Sequence, residues 1–246
     1  MAASQDYLGD QSQAIKMSLT MSDLGKDRES SPAAGYLYRF GQFALDSRKR
    51  TLSRADSPVS LTPIAATALK TVGNRDGKLD LALAFARAGN TEQARKMADA
   101  LDQDSPLDTL VQNYSLPTIR AAMKLNANDP AGAIAALQPS LKYELSYNFS
   151  FNSLYPAYIR GLAYLQLGDG RLAGAEFQKL VDHRGLVGRD VIGALAHLQM
   201  ARAQKMMGDE ASARKWYEDF LALWKDADPD VPINQQAKAE YAKLGK

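Results

Sequence analysis

The sequence predicts an all-α protein: a solenoid of four helical hairpins and a capping helix, preceded by a small β appendage. Two observations predict the solenoid. A helix–turn–helix pattern recurs four times at a nearly constant interval, and alanine and leucine dominate with helical periodicity from about residue 78. A third observation, an aromatic-rich and partly alternating stretch at 36–63, predicts short strands.

Composition along the chain predicts three parts. Residues 1–35 are rich in serine, aspartate, glutamine and glycine, so we expect them to be mostly disordered, because such a segment buries little apolar surface. Residues 36–72 are predicted as the β appendage, with one strand in 36–46 and two more at 50–54 and 59–61. Residues 73–246 are predicted as the solenoid with its capping helix.

The turns of the four copies lie 39, 40 and 40 residues apart. Gly89, Gly168 and Gly208 can adopt the left-handed backbone conformation that ends a helix. The second copy has asparagine at this position, and asparagine is the next most tolerant residue there. A strong N-cap residue follows each turn, in the order Asn90, Asp129, Asp169 and Asp209. Each copy is therefore predicted to be a helix, a tight turn and a second helix.

Residue size is also periodic around the turns. Small residues stand seven positions before each turn, at Ala82, Ala121, Gly161 and Ala201, and five positions after it, at Ala94, Ala133, Ala173 and Ala213. We expect these positions to let two antiparallel helices approach closely. Larger residues follow nine positions after three of the turns, at Leu137, Phe177 and Tyr217, with Ala98 in the first copy, and we expect this column to pack on the next hairpin.

These columns resemble the tetratricopeptide (TPR) repeat over residues 75–230. The shared features are a small residue, an aromatic residue, the Gly-Asp turn, an alanine, a second aromatic residue and a closing proline, Pro106 in the first copy. The TPR unit has about 34 residues. The longer repeat here predicts longer helices or fuller loops between hairpins. After the fourth copy the proline-rich stretch 228–232 breaks the chain, and 233–244 is predicted as the capping helix.

The stretches 38–46, 50–52 and 58–63 resemble the opening sheet of an OmpR/PhoB-type winged-helix DNA-binding domain. Only one short helix, at 64–72, follows before 73–77 turn the chain into the first repeat. A winged helix needs two further helices and a wing, so the resemblance implies a truncated domain without a recognition helix. Natural deletion, gene fusion and a sequence prediction error all remain possible origins. The stretches 193–199 and 220–230 resemble the TPR tails of bacterial winged-helix regulators and Ser/Thr kinases, although no kinase motif is present.

Composition excludes several classes of function. The 30 basic and 28 acidic residues nearly cancel, so there is no strongly basic surface of the kind that nucleic-acid binding uses. The chain has no cysteine, which excludes disulfides, thiolate metal sites and cysteine nucleophiles. We find no signal-peptide pattern and no apolar run of about 18 residues, so we expect a cytoplasmic protein with no membrane partner.

No residues form a recognisable catalytic or metal-binding pattern. His183 lies between the third and fourth copies and His197 lies on an alanine- and leucine-rich helix, and neither has a nucleophile or paired carboxylates nearby in the sequence. We therefore expect a non-enzymatic protein with no catalytic residues, no metal and no cofactor. The segment from Tyr143 to Tyr158 contains six aromatic residues, both ends included, and either packing of a long loop or partner recognition explains them.

The TPR resemblance implies a scaffold or sensor for protein–protein interaction, in bacterial signalling or regulation, that binds a partner segment in the concave groove lined by first helices. By the family's spacing, the groove residues are Arg87, Asn126, Tyr155, Tyr158, Gln166, Arg202 and Lys205. The tyrosines offer contact area, the amides can pair with a peptide backbone, and Arg202 and Lys205 suit an acidic segment or free carboxylate. The alternative is a DNA-binding transcriptional regulator of the winged-helix type, which the missing recognition helix disfavours.

Overall fold

The computed structural model describes residues 74–146, 154–188, 190–227 and 231–244, and the backbone of five strands that precede them. The chain divides into two units, Met1–Ala68 and Leu69–Lys246. The predicted helix at 64–72 lies outside the described residues, as does the predicted disordered segment 1–35 except for residues 28–30. The assignment of 36–72 as a truncated winged helix stays a prediction.

The strands of the first unit form one antiparallel sheet in sequence order. They are β1 (Arg28–Ser30), β2 (Tyr36–Phe40), β3 (Phe43–Asp46), β4 (Thr51–Arg54) and β5 (Ser57–Val59). In β2 and β3, Phe40 lies opposite Phe43, so the stretch 36–46 comprises two paired strands where the alternation predicted one. Leu45 in turn lies opposite Leu52, and Leu52 lies opposite Val59.

The described part of the second unit contains ten α-helices. They are α1 (Arg75–Arg87), α2 (Thr91–Asp104), α3 (Leu116–Asn126), α4 (Pro130–Ala136), α5 (Tyr155–Gln166), α6 (Gly170–Asp182), α7 (Arg184–Val187), α8 (Val191–Met206), α9 (Glu210–Leu223) and α10 (Pro232–Tyr241). A 3₁₀ segment, Gln138–Lys142, follows α4. No described helix is long and apolar enough to cross a membrane.

The predicted helix–turn–helix copies are confirmed by the backbone at the turns. Gly89, Gly168 and Gly208 have φ between 78° and 82°, and Asn128 has φ of 58°. The carboxylate or amide oxygen of the next residue then accepts a hydrogen bond from a backbone N–H three positions on, at Asn90, Asp129, Asp169 and Asp209. Four hairpins result: α1–α2, α3–α4, α5–α6 and α8–α9.

The small-residue columns lie where the two helices of each hairpin meet. All four alanines five positions after the turns are fully buried, as are Ala82, Ala121 and Ala201 before the turns. At the equivalent position of the third hairpin, a Cβ added to Gly161 would lie 2.6 Å from the Phe177 ring. Phe177 therefore packs on its own first helix, a contact that the size pattern did not predict. The hydroxyl of Tyr217 reaches Glu240 in α10.

The hairpins stack in chain order. The first helices α1, α3, α5 and α8 each pack against the next one, and each second helix packs against the first helix that follows it. The second hairpin begins with a π-helical turn, Val111–Ser115, just before Pro117. Proline lacks the N–H of a regular helical turn and its ring clashes with the carbonyl four residues back, so the wider turn accommodates it.

Candidate partner-binding face

We call the surface formed by α1, α3, α5 and α8 the first-helix face. All seven residues predicted to line the groove lie on these helices. Arg87, Asn126 and Gln166 are near the carboxyl ends of α1, α3 and α5, and Tyr155 and Tyr158 are in the first turn of α5. Arg202 and Lys205 lie in the last turns of α8. Five of the seven contact other parts of the chain through side-chain hydrogen bonds.

Arg87 joins the first hairpin directly to the third. Its Nη1 donates a hydrogen bond of 3.3 Å to the Tyr155 hydroxyl, and its guanidinium lies 5.4 Å from the ring centroids of both Tyr155 and Tyr158. The Tyr155 hydroxyl donates in turn to Asp190, which caps the first turn of α8. Three hairpins therefore meet at one hydroxyl group. Burial, followed by the neighbouring Asp190 carboxylate, raises the pKa of Tyr155, so the hydroxyl stays protonated and acts as a donor.

Tyr155 and Tyr158 are core residues, with only 7% and 2% of their surface exposed. Tyr158 packs edge-on against Phe177, with the ring centroids 5.8 Å apart, and burial raises the pKa of its hydroxyl. The expectation that these two rings offer exposed contact area is therefore corrected. For these two members of the aromatic segment the structure favours packing; Tyr147, Phe149 and Phe151 lie outside the described residues.

The two amide side chains connect successive first helices. Asn126 donates to the carbonyl oxygen of Ala86, and Gln166 donates to that of Leu125 over 3.5 Å. Both carbonyls belong to the last turn of the preceding first helix, and each also accepts a hydrogen bond from the backbone N–H of the turn residue three positions on, Gly89 or Asn128. The amides that were predicted to pair with a peptide backbone thus pair with the protein's own backbone.

Arg202 already holds a carboxylate. Its Nε and Nη2 donate to the two oxygens of Glu240 in α10, at 2.9 and 2.8 Å, and the Tyr217 hydroxyl donates to the same carboxylate at 2.8 Å. Burial opposes the charged form of Glu240, but the hydrogen bonds from Arg202 and Tyr217 outweigh it and lower the pKa of this carboxyl. Lys205, one turn further along α8, is exposed.

A buried ion network escaped the sequence interpretation. Arg160 in α5 is 3% exposed and lies 2.7 Å from Glu144 and 2.6 Å from Glu176 of α6, and Lys179 is 2.9 Å from Glu176. The network ties the segment after α4 to the third hairpin. Arg160 is 16 residues from each glutamate, and no periodic signal links residues at that separation, so only the lone arginine within an apolar helix marked the site.

Each of the two histidines contacts a neighbouring group of the protein itself, a tryptophan ring or a backbone carbonyl. His197 is buried and packs edge-on against Trp216, with the ring centroids 5.3 Å apart, and burial lowers its pKa. Nδ1 of His183 lies 2.8 Å from the Lys179 carbonyl oxygen at the end of α6. Among the described residues no group of three or more histidine, aspartate and glutamate side chains is placed to hold a metal ion.

Comparison with known proteins returned no relative. No protein-family model matches the chain, and no curated protein or solved structure matches it significantly. The functional proposal therefore depends on the hairpins and on the contacts of the first-helix face.

Proposed function

We propose that residues 73–246 form a TPR-like α-solenoid that serves as a non-enzymatic scaffold or sensor in bacterial signalling or regulation. In this proposal the first-helix face binds a segment of a partner protein. One observation carries it: four hairpins with the same turn and cap stack in order, so that their first helices pack side by side as one face. Stacked helical repeats create extended surfaces of this kind, and partner binding is their common use.

The charges on this face support a ligand with a carboxylate group. Arg87 and Lys205 are exposed at the carboxyl ends of α1 and α8, and Arg202 lies one turn before Lys205. A guanidinium group binds a carboxylate through two parallel hydrogen bonds, which adds geometric selectivity to charge attraction. An acidic peptide segment or a free carboxyl terminus is therefore the ligand class that we propose.

The proposal also assigns a fold to the N-terminal unit. We assign residues 36–72 to a truncated winged-helix β appendage, and the antiparallel pairing of the strands in sequence order supports this assignment. In this scheme the chain takes part in transcription regulation through protein contacts. Sequence-specific DNA binding that weakens steeply with salt would instead support the DNA-binding alternative, because phosphate contacts release counterions.

The proposal is tested with charge reversals on matched exposed residues. After a pull-down with the full chain has identified a partner, Lys205→Glu on the first helix α8 should weaken its binding at least tenfold. The controls are Lys215→Glu and Arg95→Glu, which make the same change at exposed positions of second helices. We expect the controls to bind like the wild-type protein. Equal loss of binding in Lys205→Glu and in the controls, or no loss in Lys205→Glu, contradicts binding on the first-helix face.

A further inference from the structure

Helix α10 and the turn that follows it, which ends at Leu244, carry side chains spaced like those of a bound amphipathic peptide. Ala237, Glu240, Tyr241 and Leu244 stand at positions i, i+3, i+4 and i+7, and Ala237 and Leu244 are almost fully buried. This is the spacing by which a helix anchors in a groove of another protein. The hairpin helices instead meet through columns of alanine and larger apolar residues.

Several contacts of α10 and of the turn after it are polar. Arg202 and Tyr217 donate hydrogen bonds to the Glu240 carboxylate. The Tyr241 hydroxyl donates to Glu218 at 2.7 Å, and Arg214 donates to the carbonyl oxygen of Leu244. The Arg214 guanidinium also lies 5.3 Å from the centroid of the Tyr241 ring. A competing polar ligand can replace these directional contacts, whereas the buried contacts of Ala237 and Leu244 need an apolar replacement.

The fit of α10 is incomplete at one position. Asn234 is 2% exposed, and its Oδ1 has no hydrogen-bond partner within the described part of the chain. A buried acceptor without a partner loses its hydration and gains nothing in return. A helix with an apolar residue at this place would bind the same site more tightly than α10 does.

We propose that the site formed by Arg202, Tyr217 and the adjoining surface of α9 is an interaction site for a carboxylate-bearing helix, and that α10 is its built-in occupant. The partner carries a glutamate followed by an aromatic residue, with apolar residues one turn before and one turn after this pair. It competes with α10 for Arg202, so binding requires α10 to leave. This rests on the proposed function, because it specifies the ligand of the α8 end of the first-helix face and its regulation.

The test uses the full chain and a fluorescein-labelled peptide of residues 231–244. Glu240→Lys places a positive charge against Arg202, and we expect it to speed hydrogen exchange of the α10 amides at least tenfold. The same variant should bind the peptide at least tenfold more tightly than the wild-type chain, because its own helix no longer competes. A peptide with Asn234→Leu should bind more tightly still, and one with Glu240→Lys should not bind.

Two matched variants complete the design. Asp99→Lys makes the same charge change at an exposed position of α2, and it should behave like the wild-type chain. Glu240→Gln removes the charge with little change of shape, and its exchange rate should lie between those of the wild-type chain and Glu240→Lys. Circular dichroism checks that all variants keep their helical content; if Glu240→Lys loses it, Glu240→Gln takes its place in the peptide assay.

Three outcomes overturn the inference. The first is hydrogen exchange of the α10 amides that is unchanged in Glu240→Gln. The second is peptide binding that is no tighter in Glu240→Lys, or in the Glu240→Gln variant that replaces it, than in the wild-type chain. The third is a dimer, detected by light scattering, that Glu240→Lys dissociates, because α10 would then bind a second copy. The proposed function fails separately. If Lys205→Glu loses a partner that the peptide does not displace, the first-helix face binds but α10 is not its competitor.

Discussion

Two buried glycines in neighbouring helices test the packing of the third hairpin. A Cβ at Gly161 in α5 would lie 2.6 Å from two carbon atoms of the Phe177 ring, whereas a Cβ at Gly174 in α6 would lie 3.9 Å from Ala203 and 4.0 Å from Met200. Real Cβ atoms essentially never come closer than 3.0 Å to a neighbour, and 3.9 Å is ordinary contact. The same change, glycine to alanine, therefore overpacks one site and fits the other.

The magnitude follows from two opposing effects. Alanine stabilises a helix interior by about 1 kcal/mol relative to glycine, and this gain applies equally to both sites. Overpacking a core costs about 1–3 kcal/mol, and Phe177 is fully buried with little room to shift. Gly174→Ala should therefore raise the free energy of unfolding by about 1 kcal/mol. Gly161→Ala should lower it by about 1 kcal/mol, which leaves the two variants about 2 kcal/mol apart.

Urea unfolding followed by circular dichroism measures both values, with the m-value as a check that the unfolded states are comparable. Phe177→Leu provides the rescue: if the ring causes the loss, Gly161→Ala should cost less in the Phe177→Leu background than in the wild-type chain. Equal unfolding free energies for Gly161→Ala and Gly174→Ala would refute the reasoning, because the contact with Phe177 is what separates the two sites.

Two further predictions concern buried charge. Arg160→Met should lower the free energy of unfolding by about 3 kcal/mol in urea, since Glu144 and Glu176 lose their buried partner, whereas Arg160→Lys should lower it less. Burial lowers the pKa of His197 below 6.5, so as the pH falls the imidazole is protonated in the unfolded chain before it is protonated in the folded one. The stability that the neutral ring contributes is therefore complete above about pH 6.5 and declines below it, and thermal unfolding between pH 7 and pH 5 should depend less on pH in His197→Gln. A steeper dependence in that variant would contradict the assignment.

The hairpins could be predicted from the sequence because their determinants are local. A turn glycine followed by an aspartate acts through its own φ angle and through one hydrogen bond to a residue three positions away, as Gly168 and Asp169 show. The small-residue columns extend this over one hairpin, since two helices joined by a tight turn must lie antiparallel. These signals repeat about every 40 residues, and they can be recognised without knowing how one hairpin packs on the next.

The contacts and the burial of the candidate site residues depend on how the hairpins stack. Arg87 reaches Tyr155 across 68 residues and Arg202 reaches Glu240 across 38, so each pairing depends on the angle and offset between hairpins. The repeat period carries no information about that angle. By itself the sequence therefore determined the helices, turns and caps of the four hairpins and which of their positions carry arginine or lysine. Only the tertiary structure decided that Tyr155 and Tyr158 are buried and that Arg202 holds the carboxylate of α10, because burial and ion pairing depend on which hairpins pack together.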